Sequence, residues 1–415
     1  MALNYVWLGF FLSAFLAALV QTLAGDLGAF SRQLEALFEA ARTGFDIALG
    51  LTGMMALWLG FMKIGERAGM IDHFARVVRP VMRQLFPGVP AGHPAQGAMT
   101  MNISANLLGL DNAATPLGLT AMLELQSLNR EPATATNAQI MFLVLNTAGL
   151  TLIPTSVIAI RQTLAVKQGV NGFNAADIFL PTLVVTAITL VVALLAVAWV
   201  QRISLLRASL LLPLAGFAGI AGLLVVWLAG LPAEQAAQWM GVIGAGCILA
   251  IVALFMAAGL LRRVDVYSAF VEGAKDGFVV AVKIIPYLVA MLAAIAVFRA
   301  AGLLDWLMGG IAWAVAAAGL PTDFLPAVPV GLMKVLSGSG ARGLMVDVMQ
   351  THGVASFAGQ LAAIIQGSTE TTFYVLAVYF GSVGVKHTRH ALPCALLADA
   401  VGLVVAVLVG YAFFH

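Results

Sequence analysis

The sequence predicts an all-α integral membrane protein made of two inverted-topology repeats, with re-entrant hairpins, interrupted helices and about nine full transmembrane passes. Composition carries the first part of that reading. Of 415 residues, 61% are apolar and 10% charged. Soluble domains carry about 25% charged residues, so this chain cannot cover a water-facing surface. Apolar windows of about 19 residues recur along it, long enough to cross a ~30 Å hydrocarbon core. A duplicated pattern carries the rest. Ala41-Arg42-Thr43-Gly44-Phe45 matches Ala274-Lys275-Asp276-Gly277-Phe278, and Gly69-Met70-Ile71-Asp72 matches Gly302-Leu303-Leu304-Asp305 at the same spacing.

The elements follow in order. Residues 5–24 are apolar, and Met1–Asn4 contains no Lys or Arg, so the stretch reads as a retained helix and not a signal peptide. A span at 45–63 leads into an amphipathic stretch at 63–88. Residues 95–124 are mildly apolar but rich in Gly, Asn and Ser, with Pro116 inside. Polar, irregular backbone survives at membrane depth only inside protein or around a watery cavity, so this is a re-entrant hairpin or broken helix. An interrupted span at 137–160 contains Pro154, which removes a backbone donor and frees a carbonyl one turn earlier. A clear span at 178–200 closes the first half. Spans at 208–230 and 238–261 form a linking hairpin. The second half repeats the order: 279–298, an amphipathic segment, a re-entrant stretch at 324–349, an interrupted span at 354–382, and 391–413.

Charge orients the halves. Lys63, Arg67, Arg76, Arg79 and Arg83 outnumber Glu66 and Asp72 in residues 63–88, whereas residues 296–321 hold only Arg299 and Asp305. Basic residues collect on the cytoplasmic side, so equivalent segments face opposite sides. Arg202, Arg207, Arg262, Arg263, Lys386 and Arg389 then fall inside, and the 231–237 loop with Glu234 falls outside. This puts the N-terminus in the cytoplasm and the C-terminus outside. The 161–177 loop departs from the rule, carrying Arg161 and Lys167 on the outer side.

Several function classes drop out. A net charge of +2 leaves no electrostatic footprint for nucleic acid. Cys247 and Cys394 stand alone in apolar runs, giving no disulfide framework and no metal or redox pair. There is no GxxxxGK[ST], HExxH or GxSxG motif, and the six histidines are scattered apart from His387 and His390. Gly338-Ser339-Gly340-Ala341-Arg342-Gly343 spells GxGxxG but lacks the βαβ setting of a dinucleotide site. Those glycines fit a tight turn at the tip of a re-entrant hairpin, where amides can face an anion. The expectation is a protein that is not an enzyme and needs no cofactor or metal.

The polar residues at membrane depth are the candidates for function. In the first half these are Asn102, Ser104 and Asn106, with the two amides on one helix face, then Asn112, Asn146 and Thr147. Amides both donate and accept, which suits a neutral polar solute or a partly dehydrated cation. In the second half they are Ser337, Ser339, Ser368 and Thr369, with Glu370 between apolar stretches. An intramembrane carboxylate is a functional candidate by default. Glu370 can pair with Lys334 or Arg342, bind a coupling cation, or carry a proton. The same side chains also suit simple helix-to-helix hydrogen bonding, and both readings stay open at this point.

Three stretches resemble the spore maturation protein A family: Ala56-Leu57-Trp58-Leu59-Gly60-Phe61-Met62-Lys63-Ile64, Met101–Asn106 with Asn112–Gly118, and Asn146 through Pro154-Thr155 to Arg161. Gly367–Tyr374 and Tyr379-Phe380-Gly381 resemble the spore maturation protein B family. The chain therefore resembles a natural fusion of the two over nearly its whole length. Both are identified with the nucleoside-recognition, or gate, domain, which is similar to parts of concentrative nucleoside transporters and of the ferrous iron transporter B membrane region. The resemblance implies an N-terminal helix and loop (1–40), an A-like gate half (41–200), a linking hairpin (201–268) and a B-like gate half (269–415). It implies a multi-pass protein of the bacterial inner membrane that transports a small polar solute by alternating access, coupled to H+ or Na+ through Glu370. The competing reading is a channel, or a membrane-embedded scaffold of an envelope-remodelling system, without coupled transport. Expected partners are the lipid bilayer, the solute, the ion and a second copy of the chain. Ala148-Gly149 departs from the hydroxyl residues that family members often carry there, which makes that end of the site less polar.

Overall fold

A computed structural model describes residues 2–107, 111–149, 154–205 and 208–415. Among the described residues the chain is almost wholly helical. After α1 (Ala2–Leu23), the first half runs through α2 (Ala29–Arg67), α3 (Met70–Leu85), α4 (Pro94–Leu107), α5 (Asp111–Ser127), α6 (Asn137–Thr147), α7 (Thr155–Lys167) and α8 (Phe179–Gln201). A hairpin follows, α9 (Ala208–Ala229) and α10 (Ala233–Leu261). The second half repeats the order in α11 (Val266–Ala300), α12 (Leu303–Ala317), α13 (Val328–Leu336), α14 (Gly338–His352), α15 (Phe357–Ser368), α16 (Thr372–Ser382) and α17 (Ala391–Phe414). Six helical segments among the described residues are long and apolar enough to cross a membrane, or seven if α11 and α12 make one bent span.

The repeat is visible in backbone detail. Gly69 and Gly302 each precede a helix with a left-handed backbone, φ 74° and 76°. Glycine adopts that conformation without the Cβ penalty, so the two long helices end at equivalent points and the chain turns. The angle between the end of α11 and α12 is 73°. From there the equivalents diverge in chemistry. α3 exposes Arg76, Arg79 and Arg83 while burying Met82 and Leu85. α12 buries no residue and presents Trp306 and Trp313, 77% and 76% exposed.

The long helices exceed the spans expected at 45–63 and 279–298. α2 has 39 residues, roughly 58 Å at 1.5 Å per residue. Hydropathy marks only the apolar middle, whereas the preceding Glu35, Ala36, Leu37, Glu39, Ala40 and Ala41 are strong helix formers that continue the same helix. α2 and α11 pack against each other along much of their length. Small residues allow this. A Cβ on Gly273 would lie 2.2 Å from the Leu59 carbonyl oxygen, and one on Gly277 would lie 2.5 Å from Ala56 Cα.

The re-entrant regions are helical hairpins, α4 against α5 and α13 against α14. The glycine run at 338–343 is not the hairpin turn. Ser337 alone is extended, and its hydroxyl accepts the Gly340 N–H at 3.0 Å as the N-cap of α14. The glycines begin the helix, and they are needed for space. A Cβ on Gly340 would meet Met333 and Met291 at 3.0–3.1 Å. α8 packs on α17, while α15 also packs on α8 and α17 on α6. The closing helix of each half thus touches the broken helix of the other.

Arg161 is one of the two basic residues in the 161–177 loop that depart from the charge rule; the other, Lys167, is exposed. The Arg161 side chain is fully buried, pairs with Asp177, and donates to the Ala175 carbonyl at 2.7 Å. Its guanidinium also lies 4.8 Å from the Phe173 ring centre. This cation folds the loop onto α7 and is not a free surface charge.

Candidate functional site

The breaks of the two interrupted helices touch. α6 begins with a capping box, Thr136 with Gln139, and runs to Thr147. α15 begins with Ser356 accepting the Gly359 N–H, ends at Ser368, and passes into extended backbone at Thr369. The last carbonyls of a helix have no partner within it. Here the Thr147 carbonyl accepts the Glu370 N–H at 2.9 Å, a backbone bond between the two halves.

Beside this bond lies a cavity of about 200 Å3 lined by both halves. The first half supplies neutral groups, Asn106, Thr115, Asn146, Thr155 and Ser156. The second supplies Lys334, Arg342 and Glu370, with Gln366, Thr369, Tyr374 and Tyr379. The duplicated scaffold therefore carries an amide wall facing an ionic wall.

The amide wall is a connected network. Asn106 Nδ2 donates to Asn146 Oδ1 at 2.8 Å, and Asn146 Nδ2 donates to the Phe142 carbonyl at 2.8 Å. The Tyr379 hydroxyl donates to Asn146 Oδ1 at 3.3 Å and receives Asn102 Nδ2 at 3.4 Å. Asn102 Nδ2 also donates to the Ala114 carbonyl at 2.7 Å, which ties α4 to α5. Tyr379 stacks on Phe142 with ring centres 5.8 Å apart. The network joins α4, α5 and α6 of one half to α16 of the other. It depends on Gly118, where a Cβ would fall 2.0 Å from the Tyr379 oxygen.

Of the residues expected from sequence, the cavity brings together Asn106, Asn146, Thr369, Glu370, Lys334 and Arg342. Asn102 stands one layer behind, fully buried, with Oδ1 lacking a partner among the described residues. Ser104, Thr147 and Ser368 turn their hydroxyls to carbonyls of their own helices, at Thr100, Val144 and Ile365. Thr147 contributes its backbone carbonyl. Ser337 caps α14 and lies 3.1 Å from the Ser339 hydroxyl. Asn112 falls in α5, and its side chain lies outside the described residues. No cluster of three His, Cys, Asp or Glu side chains that could hold a metal occurs among the described residues.

Thr115, Thr155, Ser156, Gln366 and Tyr374 line the cavity without having been among the candidates, and neither were Tyr379 and Asp399. Tyr379 sits in an apolar run where an aromatic residue carries no functional signal. Asp399 had one: it is a carboxylate within an apolar span, where an ionised side chain costs about 2.5–3.5 kcal/mol to insert. Asp399 is 8% exposed and accepts the Thr372 hydroxyl at 2.7 Å.

Comparison with known proteins places this architecture. A family model described as gate, nucleoside recognition, matches residues 48–164 and 281–386. Those two segments contain both hairpins, both broken helices and every residue lining the cavity. The chain is 45% identical over 159 residues to spore maturation protein B of Bacillus subtilis, covering 38% of this chain and 88% of that protein. It is 42% identical over 155 residues to spore maturation protein A of the same organism, covering 37% of this chain and 76% of that protein. The chain is a multi-pass membrane protein that belongs to the nucleoside-recognition gate family and is related to spore maturation proteins A and B.

Proposed function

We propose that this protein is a secondary transporter of a small polar solute, of the nucleoside class or a metabolite of similar size, working by alternating access between its two halves. The observation that carries the reading is the Glu370–Thr147 backbone bond beside a cavity lined by both repeats. Broken helices meeting at a repeat interface are the arrangement in which transporters bind solute and coupling ion near the bilayer midplane. At about 200 Å3 the cavity lies below the ~300–1,000 Å3 typical of sites for drug-sized ligands, so the solute is small. Asn106 and Asn146 orient its neutral groups, Lys334 and Arg342 meet its acceptors, and Glu370 couples binding to H+ or Na+. Rocking one half against the other opens the cavity to each side in turn.

The proposed setting is the bacterial inner membrane, with the N-terminus cytoplasmic and the C-terminus outside. The basic face of α3 and the neutralised Arg161 support that orientation. The test is uptake of labelled nucleosides and small metabolites into proteoliposomes, with and without H+ and Na+ gradients. Gradient-dependent uptake that Glu370→Gln uncouples is the expected result. Absence of flux for every solute under every gradient would sink the reading, and gradient-independent leak unchanged in Glu370→Gln would make the protein a channel.

A further inference from the structure

Behind the ionic wall of the cavity lies a second carboxylate. Asp399 belongs to α17, outside both segments matched by the gate family. It is 8% exposed, and the Thr372 hydroxyl donates to its Oδ2 at 2.7 Å. Thr372 opens α16, so Asp399 sits beside the start of a half-helix, where backbone N–H groups favour negative charge. Lys334, 6% exposed, lines the cavity and belongs to α13, which packs on α17.

The surroundings of Asp399 hold few charges. α17 packs against α6, α8, α13, α15 and α16. Among the described residues, α6, α8 and α15 contain no Asp, Glu, Lys, Arg or His. α13 brings Lys334, and α16 brings only Tyr374 and Tyr379 as titratable groups. On α17 the other titratable groups are Cys394 and Tyr411, and Glu370 lies in the break just before α16. Lys334 is thus the one cation on these packed elements that can balance Asp399. It also lines the cavity with Glu370.

We propose that Asp399 is a proton-binding site, and that its protonation transfers the Lys334 charge from Asp399 to the cavity. One proton from cavity water binds the carboxylate, so the pair goes from net neutral to one positive charge, carried by Lys334. That charge then serves Glu370 or an electronegative group of the solute. Release of the proton to the opposite side restores the Asp399–Lys334 interaction and weakens the hold on the solute. Thr372 is the positioning residue, holding the carboxylate toward α16. The inference rests on the transporter reading for its purpose, but not for its test.

The test is the acid-minus-alkaline infrared difference spectrum of the full-length chain in lipid bilayers. The expected result is the carbonyl band of a buried protonated carboxylic acid. Aspartate-specific 13C labelling shifts that band, Asp399→Asn removes it, and Glu370→Gln retains it. Thr372→Val moves its frequency through loss of the hydroxyl donor, and Lys334→Gln changes the proton concentration at half-titration about tenfold or more. A band that survives Asp399→Asn, or no band in the unsubstituted protein, overturns the proposal. If Asp399→Asn does not fold, the isotope label and Thr372→Val decide, and a band unmoved by both overturns it. The spectrum needs no solute, so failure of uptake and failure of the proton site are separate results.

Discussion

At the scale of single residues, the account rests on one tyrosine and the glycine that admits it. Tyr379 crosses from the second half to hold Asn146 and receive Asn102 of the first. Tyr379→Phe keeps the ring stacked on Phe142 and removes only the hydroxyl. We expect a stability loss of about 1 kcal/mol, read as a modest fall in Tm, with solute affinity weakened because Asn146 loses a restraint. Gly118→Ala places a methyl where the Tyr379 oxygen lies. It should cost about 1–3 kcal/mol through overpacking, and the pair Gly118→Ala with Tyr379→Phe should recover part of that loss. A double-variant loss equal to the sum of the two single losses in thermal unfolding would show that the two positions do not contact each other. These residues also mark how far sequence reaches. Asn106, Asn146 and Glu370 announce themselves as polar groups in apolar surroundings. Ser104, Thr147 and Ser368 give the same signal, yet their hydroxyls satisfy carbonyls of their own helices. Residue type alone cannot separate these outcomes, because the direction of a hydroxyl on a helix depends on its rotamer.

At the scale of elements, the repeat was legible because local chemistry repeats. The left-handed glycines at 69 and 302 recur with an acidic residue, Asp72 or Asp305, in the first turn of the next helix. Helix lengths were not legible, since hydropathy sees lipid-facing character and not where a helix stops. The pairing of α2 with α11 makes a direct prediction. Gly277→Leu should force apart backbones that approach closely at Ala56 and lower the yield of folded protein. Gly309→Leu should change yield little, because a Cβ there meets nothing within 4 Å. Comparison of the two by detergent-extracted monodisperse yield checks the packing. A second prediction concerns His390, which precedes α17 and shares a hydrogen bond with Gln201 Nε2 at 3.0 Å. Gln201 Nε2 also donates to the Asn137 carbonyl at 3.0 Å, so this clamp joins α8, α6 and α17. Burial, and then the neighbouring Arg389, hold the His390 imidazole below its usual range. A depressed pKa means the unfolded chain binds the proton more readily. Stability from His390 is therefore present above the ordinary imidazole pKa and is lost as pH falls through the lower folded value. Tm measured across that window should fall on acidification in the unsubstituted protein and fall less in His390→Gln. Identical pH profiles would remove His390 from the account.

At the scale of the whole molecule, duplication supplies a symmetric frame and the sequence then breaks the symmetry. One half presents amides to the cavity and the other presents Lys334, Arg342 and Glu370. One surface helix carries arginines where its counterpart carries tryptophans. The arginine-for-tryptophan difference was readable from charge placement. The repeat leads to the expectation that the two discontinuous helices lie back to back; the packing that brings the breaks together, α15 on α8 and α17 on α6 across the halves, was not readable. The central claim is that the cavity beside those breaks opens to each side of the membrane in turn. Thr369 lines it in extended backbone, so the direct measurement is labelling of Thr369→Cys, with Cys247 and Cys394 replaced by Ala, by a membrane-impermeant thiol reagent. The account predicts labelling from either side, with a transported solute raising the rate on one side while lowering it on the other. Labelling from neither side, or from the same single side under every condition, would contradict it.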